Sequence, residues 1–147
     1  MKIGEFLERS RQRLVTCQPE ATLNAVAKLL YQHSIGAMPV CELSGRMVGV
    51  ISERDLVRAF ARTDLNELQF IHAADVMTKQ VVTCGPDDSI KMAQQLMKAH
   101  HFRHLPIIED GKVKGMLSLR DIMALRLQES ESEVNVLRDV VVATRHQ

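Results

Sequence analysis

The pattern Ser-x-Arg-Asp stands twice in this 147-residue sequence, as Ser52-Glu53-Arg54-Asp55 and as Ser118-Leu119-Arg120-Asp121. Its residue types suit two kinds of chemistry. In the plainer one, each serine caps a helix and the aspartate three residues on closes a capping box, its carboxylate at the positive end of the helix. On the residues alone this is the leading reading. In the other, the same helix end offers N–H groups to a phosphate. A short, fixed aspartate there accepts hydrogen bonds from both hydroxyls of a ribose, and the fork of Arg54 or Arg120 meets phosphate oxygens.

Other chemistries have little support. His100-His101-x-x-His104 contains a zinc-like H-x3-H spacing. It crosses an expected helix end, with no Cys or carboxylate beside it in a ligand pattern, and histidines favourable to the helix dipole explain it better. Eight methionines read as adaptable core. No phosphate loop G-x-x-x-x-G-K-[ST], Gly-rich dinucleotide loop or nucleophile elbow occurs. No nucleophile–base grouping is recognisable, so no catalytic residues, metal site or enzyme activity are expected.

The elements that hold the two tetrads are themselves written twice. Val15-Thr16-Cys17-Gln18-Pro19 matches Val82-Thr83-Cys84-Gly85-Pro86 at an offset of 67, which persists through Pro39/Pro106 and Glu42/Glu109. At Gly45/Gly111 and the Ser-x-Arg-Asp tetrads the offset is 66, so the second copy has lost one residue in its turn near Asp110-Gly111. Each copy predicts an extended piece ending at Val-Thr-Cys, then a helix (Thr22–Gln32; Ser89–His100) with Thr22 or Ser89 as cap candidate. Two strands follow, Ala37–Glu42 with Arg46–Ile51 and Leu105–Glu109 with Lys112–Leu117, joined at Ser44-Gly45 and Asp110-Gly111. A second helix follows, Asp55–Arg62 or Asp121–Gln128. The expected unit is β-α-β-β-α, a three-stranded sheet with two helices on one face, too slight to stand alone comfortably. Two units packed sheet to sheet about a pseudo-twofold axis would share a core, an α/β (α+β) fold.

This predicts a first unit over 1–62 with an N-terminal helix, a linker over 63–74, a second unit over 75–128 and an amphipathic tail helix over 129–147. Val134, Leu137, Val140 and Val141 recur in the tail at three- and four-residue intervals, marking a face that seeks a partner within the protomer or across a dimer.

Composition bounds the function. Apolar residues are 46% and charged residues 25%, as in globular proteins. Nineteen Lys+Arg against eighteen Asp+Glu give +1, which does not support bulk capture of nucleic acid or an anionic membrane. Aromatics at 3% make a single-strand stacking surface improbable. No apolar run approaches the ~18 residues of a spanning helix. The charged start, Met1 to Arg9, does not resemble a signal peptide. A cytoplasmic location is therefore expected, with Cys17, Cys41 and Cys84 as small buried hydrophobes in a reducing compartment.

The motifs resemble those of cystathionine-β-synthase (CBS) domains, here as a stand-alone tandem pair. The resemblance rests on D-V-M-T-x-x-V-V-T-C-x-P-D-D-S-I (Asp75–Ile90), P-V-x(7)-V-G-V-I-S-E-R-D-L (Pro39–Leu56) and R-H-L-P-I-I-E-D-G-x-V-x-G-M-L-S-x-R-D-I (Arg103–Ile122). It covers about residues 12 to 128. It implies two clefts that bind adenosine-containing ligands, with regulation rather than catalysis as the outcome. It implies ribose-binding roles for Asp55 and Asp121, and nucleotide-facing roles for Thr16 and Thr83, which the residues alone explain as strand ends before a proline turn. Crosswise, Thr16 would share a cleft with Ser118, Arg120 and Asp121, and Thr83 with Ser52, Arg54 and Asp55. Backbone around Ile35 to Met38, Ala37 included, and around Phe102 to Leu105, would hold the adenine edge. Arg103 and His104, where the first copy has Gly36 and Ala37, would make the Asp55 cleft the tighter for polyphosphates.

The expected ligands are AMP, ADP or ATP, with S-adenosylmethionine and NADH sharing the same ribose recognition and no obligatory cofactor. A homodimer and an unidentified regulated protein are the expected macromolecular partners, without nucleic acid or membrane. A ligand-independent interaction scaffold is the alternative, motivated by the tail.

Overall fold

The computed structural model describes residues 1–145. In chain order the elements are α1 (Ile3–Ser10), α2 (Leu23–Gln32), β1 (Ala37–Cys41), β2 (Met47–Ser52), α3 (Glu53–Arg62), α4 (Leu65–Leu68), α5 (Ala73–Val76), α6 (Ile90–His100), β3 (His104–Glu109), β4 (Lys112–Ser118) and α7 (Leu119–Arg145). The last two residues assigned to the tail lie outside the described residues.

Each unit begins its helix with a side-chain cap. Thr22 accepts from the Ala25 N–H at 3.1 Å, and Ser89 from the Met92 N–H at 3.0 Å. Losing such a cap costs about 1 kcal/mol. The strands pair antiparallel, β1 with β2 and β3 with β4. Asp110 and Gly111, at φ 53° and 77°, make the two-residue hairpin turn that requires positive φ at both positions. The first copy spends one more residue there and needs only Gly45, at φ 90°. That is the register step seen in the repeat.

The sheets are smaller than expected. The first strand of each unit is reduced to one bridged residue, Cys17 parallel to Val40 and Cys84 parallel to Ile107. Cys17 donates its N–H to the Pro39 carbonyl at 3.1 Å and accepts from the Cys41 N–H at 2.8 Å. Two residues on, Pro19 or Pro86 lacks an N–H and the chain turns away. Burial pushes the Cys17 thiol up to about 11, with Cys41 adding to it, and the Cys84 thiol up to about 12, with Asp88 adding to it.

The segments leading into the units are exchanged. Helix α1 precedes the first unit, yet Ile3, Phe6 and Leu7 pack into the core of the second, with Leu105, Ile107, Leu117 and Ile122. The α5 segment precedes the second unit, yet Ala73, Val76 and Met77 pack into the core of the first, with Val26, Met38, Val40 and Ile51. Main-chain bonds repeat the exchange: Gly4 donates to the Pro86 carbonyl at 2.8 Å, and Ala74 to the Pro19 carbonyl at 2.9 Å. Two glycines permit it. A Cβ on Gly49 would lie 2.7 Å from Met77 Sδ and 2.8 Å from the Thr78 carbonyl, and one on Gly115 would lie 2.6 Å from Leu7 Cδ2.

Helix α7 runs through residue 128, where the sequence suggested a boundary. No Gly or Pro occurs between 119 and 145 to stop it. Among its described residues only Ile122 is fully buried.

Candidate functional site

Both Ser-x-Arg-Asp tetrads sit where a strand passes directly into a helix, and both form the capping box. Ser52 donates its N–H and its hydroxyl to Asp55 Oδ2 at 2.9 and 3.1 Å, and the Asp55 N–H returns to Ser52 Oγ at 3.3 Å. In the second copy the corresponding distances are 2.9, 2.7 and 3.0 Å, to Asp121 Oδ2 and from the Asp121 N–H. The cap thus occupies one oxygen of each carboxylate and leaves the other to its surroundings.

Those surroundings differ. Asp55 Oδ1 lies 3.6 Å from Arg58 Nη1, and its side chain is 6% exposed. Position 124, which corresponds to Arg58 in the repeat, is alanine. Among the described residues no cation lies within ion-pair distance of Asp121. Asp121 Oδ1 is thus without a cationic partner among the described residues, whereas Asp55 Oδ1 is partnered by a guanidinium.

Each tetrad opens into a cleft between the units. The first has a volume of 580 Å³ and brings Ser52, Arg54, Asp55 and Arg58 together with Arg103 and His104. The second, of 420 Å³, brings Ser118, Arg120 and Asp121 together with Ala37, Ile35 and Arg13. Both lie in the size range of small-molecule sites. Gly36, Ala37, Glu53 and His104 line both clefts and form the seam between them. The His104 imidazole lies 3.5 Å from where a Cβ on Gly36 would stand, an ordinary van der Waals contact.

Two expected side chains sit away from the clefts, and Met38, expected to contribute backbone, has its side chain in the core. Thr16 and Thr83 are exposed and line neither cleft; Val15 and Val81 line them instead. Alternation in extended chain sends Val15 and Cys17 one way and Thr16 the other. Met38 is fully buried in the first unit's core, while Ala37 beside it lines both clefts. The structure adds Arg13 to one cleft and Gln80 to the other. These two are partners at the 67-residue offset, so the repeat itself carried the signal. Gln12 also lies there, its Oε1 accepting from the Met116 N–H at 3.2 Å.

Burial lowers the pKa of His104 below its ordinary 6.5, and Arg103 adds to this against the opposing carboxylates of Asp121 and Glu53. The folded chain therefore binds fewer protons there than the unfolded chain, in the window from 6.5 down to the folded value. Stability from this residue is complete above that window and is lost as pH falls through it. Urea melts of His104→Gln are expected to show a shallower acid loss than wild type. Identical acid limbs would refute this assignment.

Among the described residues no group of three or more His, Cys, Asp or Glu is placed to hold a metal. His100, from the histidine cluster, stacks on Phe102 with ring centroids 6.0 Å apart. No helix among the described residues is long and apolar enough to cross a membrane.

With this geometry in hand, comparison with known proteins is direct. The CBS domain family model matches residues 3–62 and 73–127, and the chain belongs to that family. It is 30% identical over 128 residues to the CBS domain-containing protein YhcV of Bacillus subtilis, covering 87% of this chain and 89% of that one. The crystal structure of a CBS-domain containing protein from Agrobacterium tumefaciens matches with a TM-score of 0.80 at 32% identity, over 86% of this chain and 99% of that one. A CBS domain protein from Pyrobaculum aerophilum, complexed with AMP, matches with a TM-score of 0.72 at 29% identity, over 82% and 89% of the two chains. Other curated relatives are longer: the chain spans 65% of one, 61% of another and 22% of an inosine-5'-monophosphate dehydrogenase.

Proposed function

We propose that this CBS pair is a regulatory module that binds adenosine-containing ligands in its two clefts and passes the change to a partner protein. The observation that carries this reading is a capping aspartate at a helix N-terminus in each cleft, with an arginine one residue before it and the other unit forming the opposite wall. The AMP complex of the Pyrobaculum aerophilum relative supports an adenylate as the ligand class. AMP, ADP and ATP lead; S-adenosylmethionine and NADH carry the same ribose. A ligand seated against the seam touches both units, so its binding free energy depends on how they are set. Only that difference in affinity between arrangements shifts the population a partner sees.

The module acts in the cytoplasm as a homodimer. Val57 and Phe60 on α3, 68% and 61% exposed, support a further protein surface against these helices. No step in this reading is catalytic.

Thermal melts of purified protein with AMP, ADP, ATP, S-adenosylmethionine and NADH test the proposal. A true ligand at about 100 times its Kd adds about 2.7 kcal/mol. No shift with any of them would overturn it and favour the interaction scaffold, which the exposed apolar residues of α7 recommend.

A further inference from the structure

Helix α7 extends well past the fold it completes. Every residue from 126 to 143 is solvent-exposed. Most helical stability in proteins comes from packing an apolar face rather than from propensity, and this stretch is rich in valine, a poor helix former. Something besides local propensity must therefore hold it helical.

The sequence of that stretch says what. Met123, Leu127, Ser130, Val134, Leu137 and Val141 follow one another at alternating intervals of four and three residues. That is the 3.5-residue period of a coiled-coil seam, with Leu127, Val134 and Val141 at position a and Met123, Ser130 and Leu137 at position d. The apolar members are 46–64% exposed: Met123 64%, Leu127 61%, Val134 46%, Leu137 64% and Val141 49%. Valine at a with leucine at d, as in Val134 and Leu137, favours two strands.

The flanking charges choose the partner and its direction. In a parallel pair each g residue meets the partner's e residue of the next heptad. Arg126 would meet Glu131 of a second copy, and Glu133 would meet Arg138, opposite signs in both cases. The antiparallel alignment of fullest overlap sets Glu131 against Glu131 and Glu133 against Glu133. We propose that residues 123–141 of α7 form a parallel two-stranded coiled coil with a second copy of this chain. This rests on the homodimer of the proposed function and fixes its orientation; it does not involve the clefts, and its test uses no ligand.

The test is self-cross-linking of the full chain. Ser130→Cys and Leu137→Cys are made singly and oxidised with copper phenanthroline, with wild type as the background, since Cys17, Cys41 and Cys84 are all buried. In a parallel pair both d positions face their own copies at roughly the 6 Å between Cα atoms that a disulfide spans. The expected result is a disulfide-linked dimer as the main product from each variant. Asp139→Cys, at the outward position f, is expected to stay largely unlinked. Linking from only one of the two d-position variants, from neither, or only in a mixture of the two overturns the proposal. Any of those results leaves ligand binding by the clefts standing.

Discussion

Asp121→Asn is expected to weaken AMP binding by about 10- to 100-fold, the equivalent of the 1.5–3 kcal/mol that a hydrogen bond to a charged group contributes. The asymmetry of the two capping boxes is the reason. Asp121 Oδ2 is committed to Ser118 at 2.9 and 2.7 Å, and no cation competes for Oδ1 among the described residues. Asp55→Asn is expected to lose less, because Arg58 at 3.6 Å already engages its Oδ1. Asparagine keeps an oxygen for the cap, so calorimetric titration reads binding rather than unfolding. Ala124→Arg, which installs the missing cation, should reproduce part of the loss with Asp121 intact. Equal losses at the two aspartates would remove the distinction.

The two clefts should also rank ligands differently. Arg54, Arg58, Arg103 and His104 converge on the first, against Arg13, Arg120 and the shared His104 on the second. Charge-assisted bonds from arginine favour each added phosphate. Arg103→Ala is expected to cut the preference for ATP over AMP by about tenfold, the effect of losing one such bond. Competition titrations on wild type and variant measure it directly, and an unchanged ranking would end the assignment of polyphosphates to that cleft.

Much of the architecture was legible because it rests on local rules. Thr22 and Ser89 cap their helices, Asp110-Gly111 turns its hairpin, and both tetrads close their boxes. What stayed hidden depends on distant partners. Apolar Ile3, Phe6 and Leu7 announce a buried helix face but carry no mark of which unit they enter. Thr16 and Thr83 look well placed by the repeat, yet both are exposed and line neither cleft. Arg58 and Ala124 differ at equivalent positions, a contrast the repeat displays but that acquires meaning only once Asp55 is seen beside the guanidinium.

The exchanged lead-in segments bear on how the chain is made. Helix α1 is made well before its seat among Leu105, Leu117 and Ile122, which is synthesised more than ninety residues later. The first half, in turn, lacks Ala73 and Val76 until translation has passed them. Each half thus completes its core only with a segment that the chain order assigns to the other, so the two cores are coupled through sequence-distant partners.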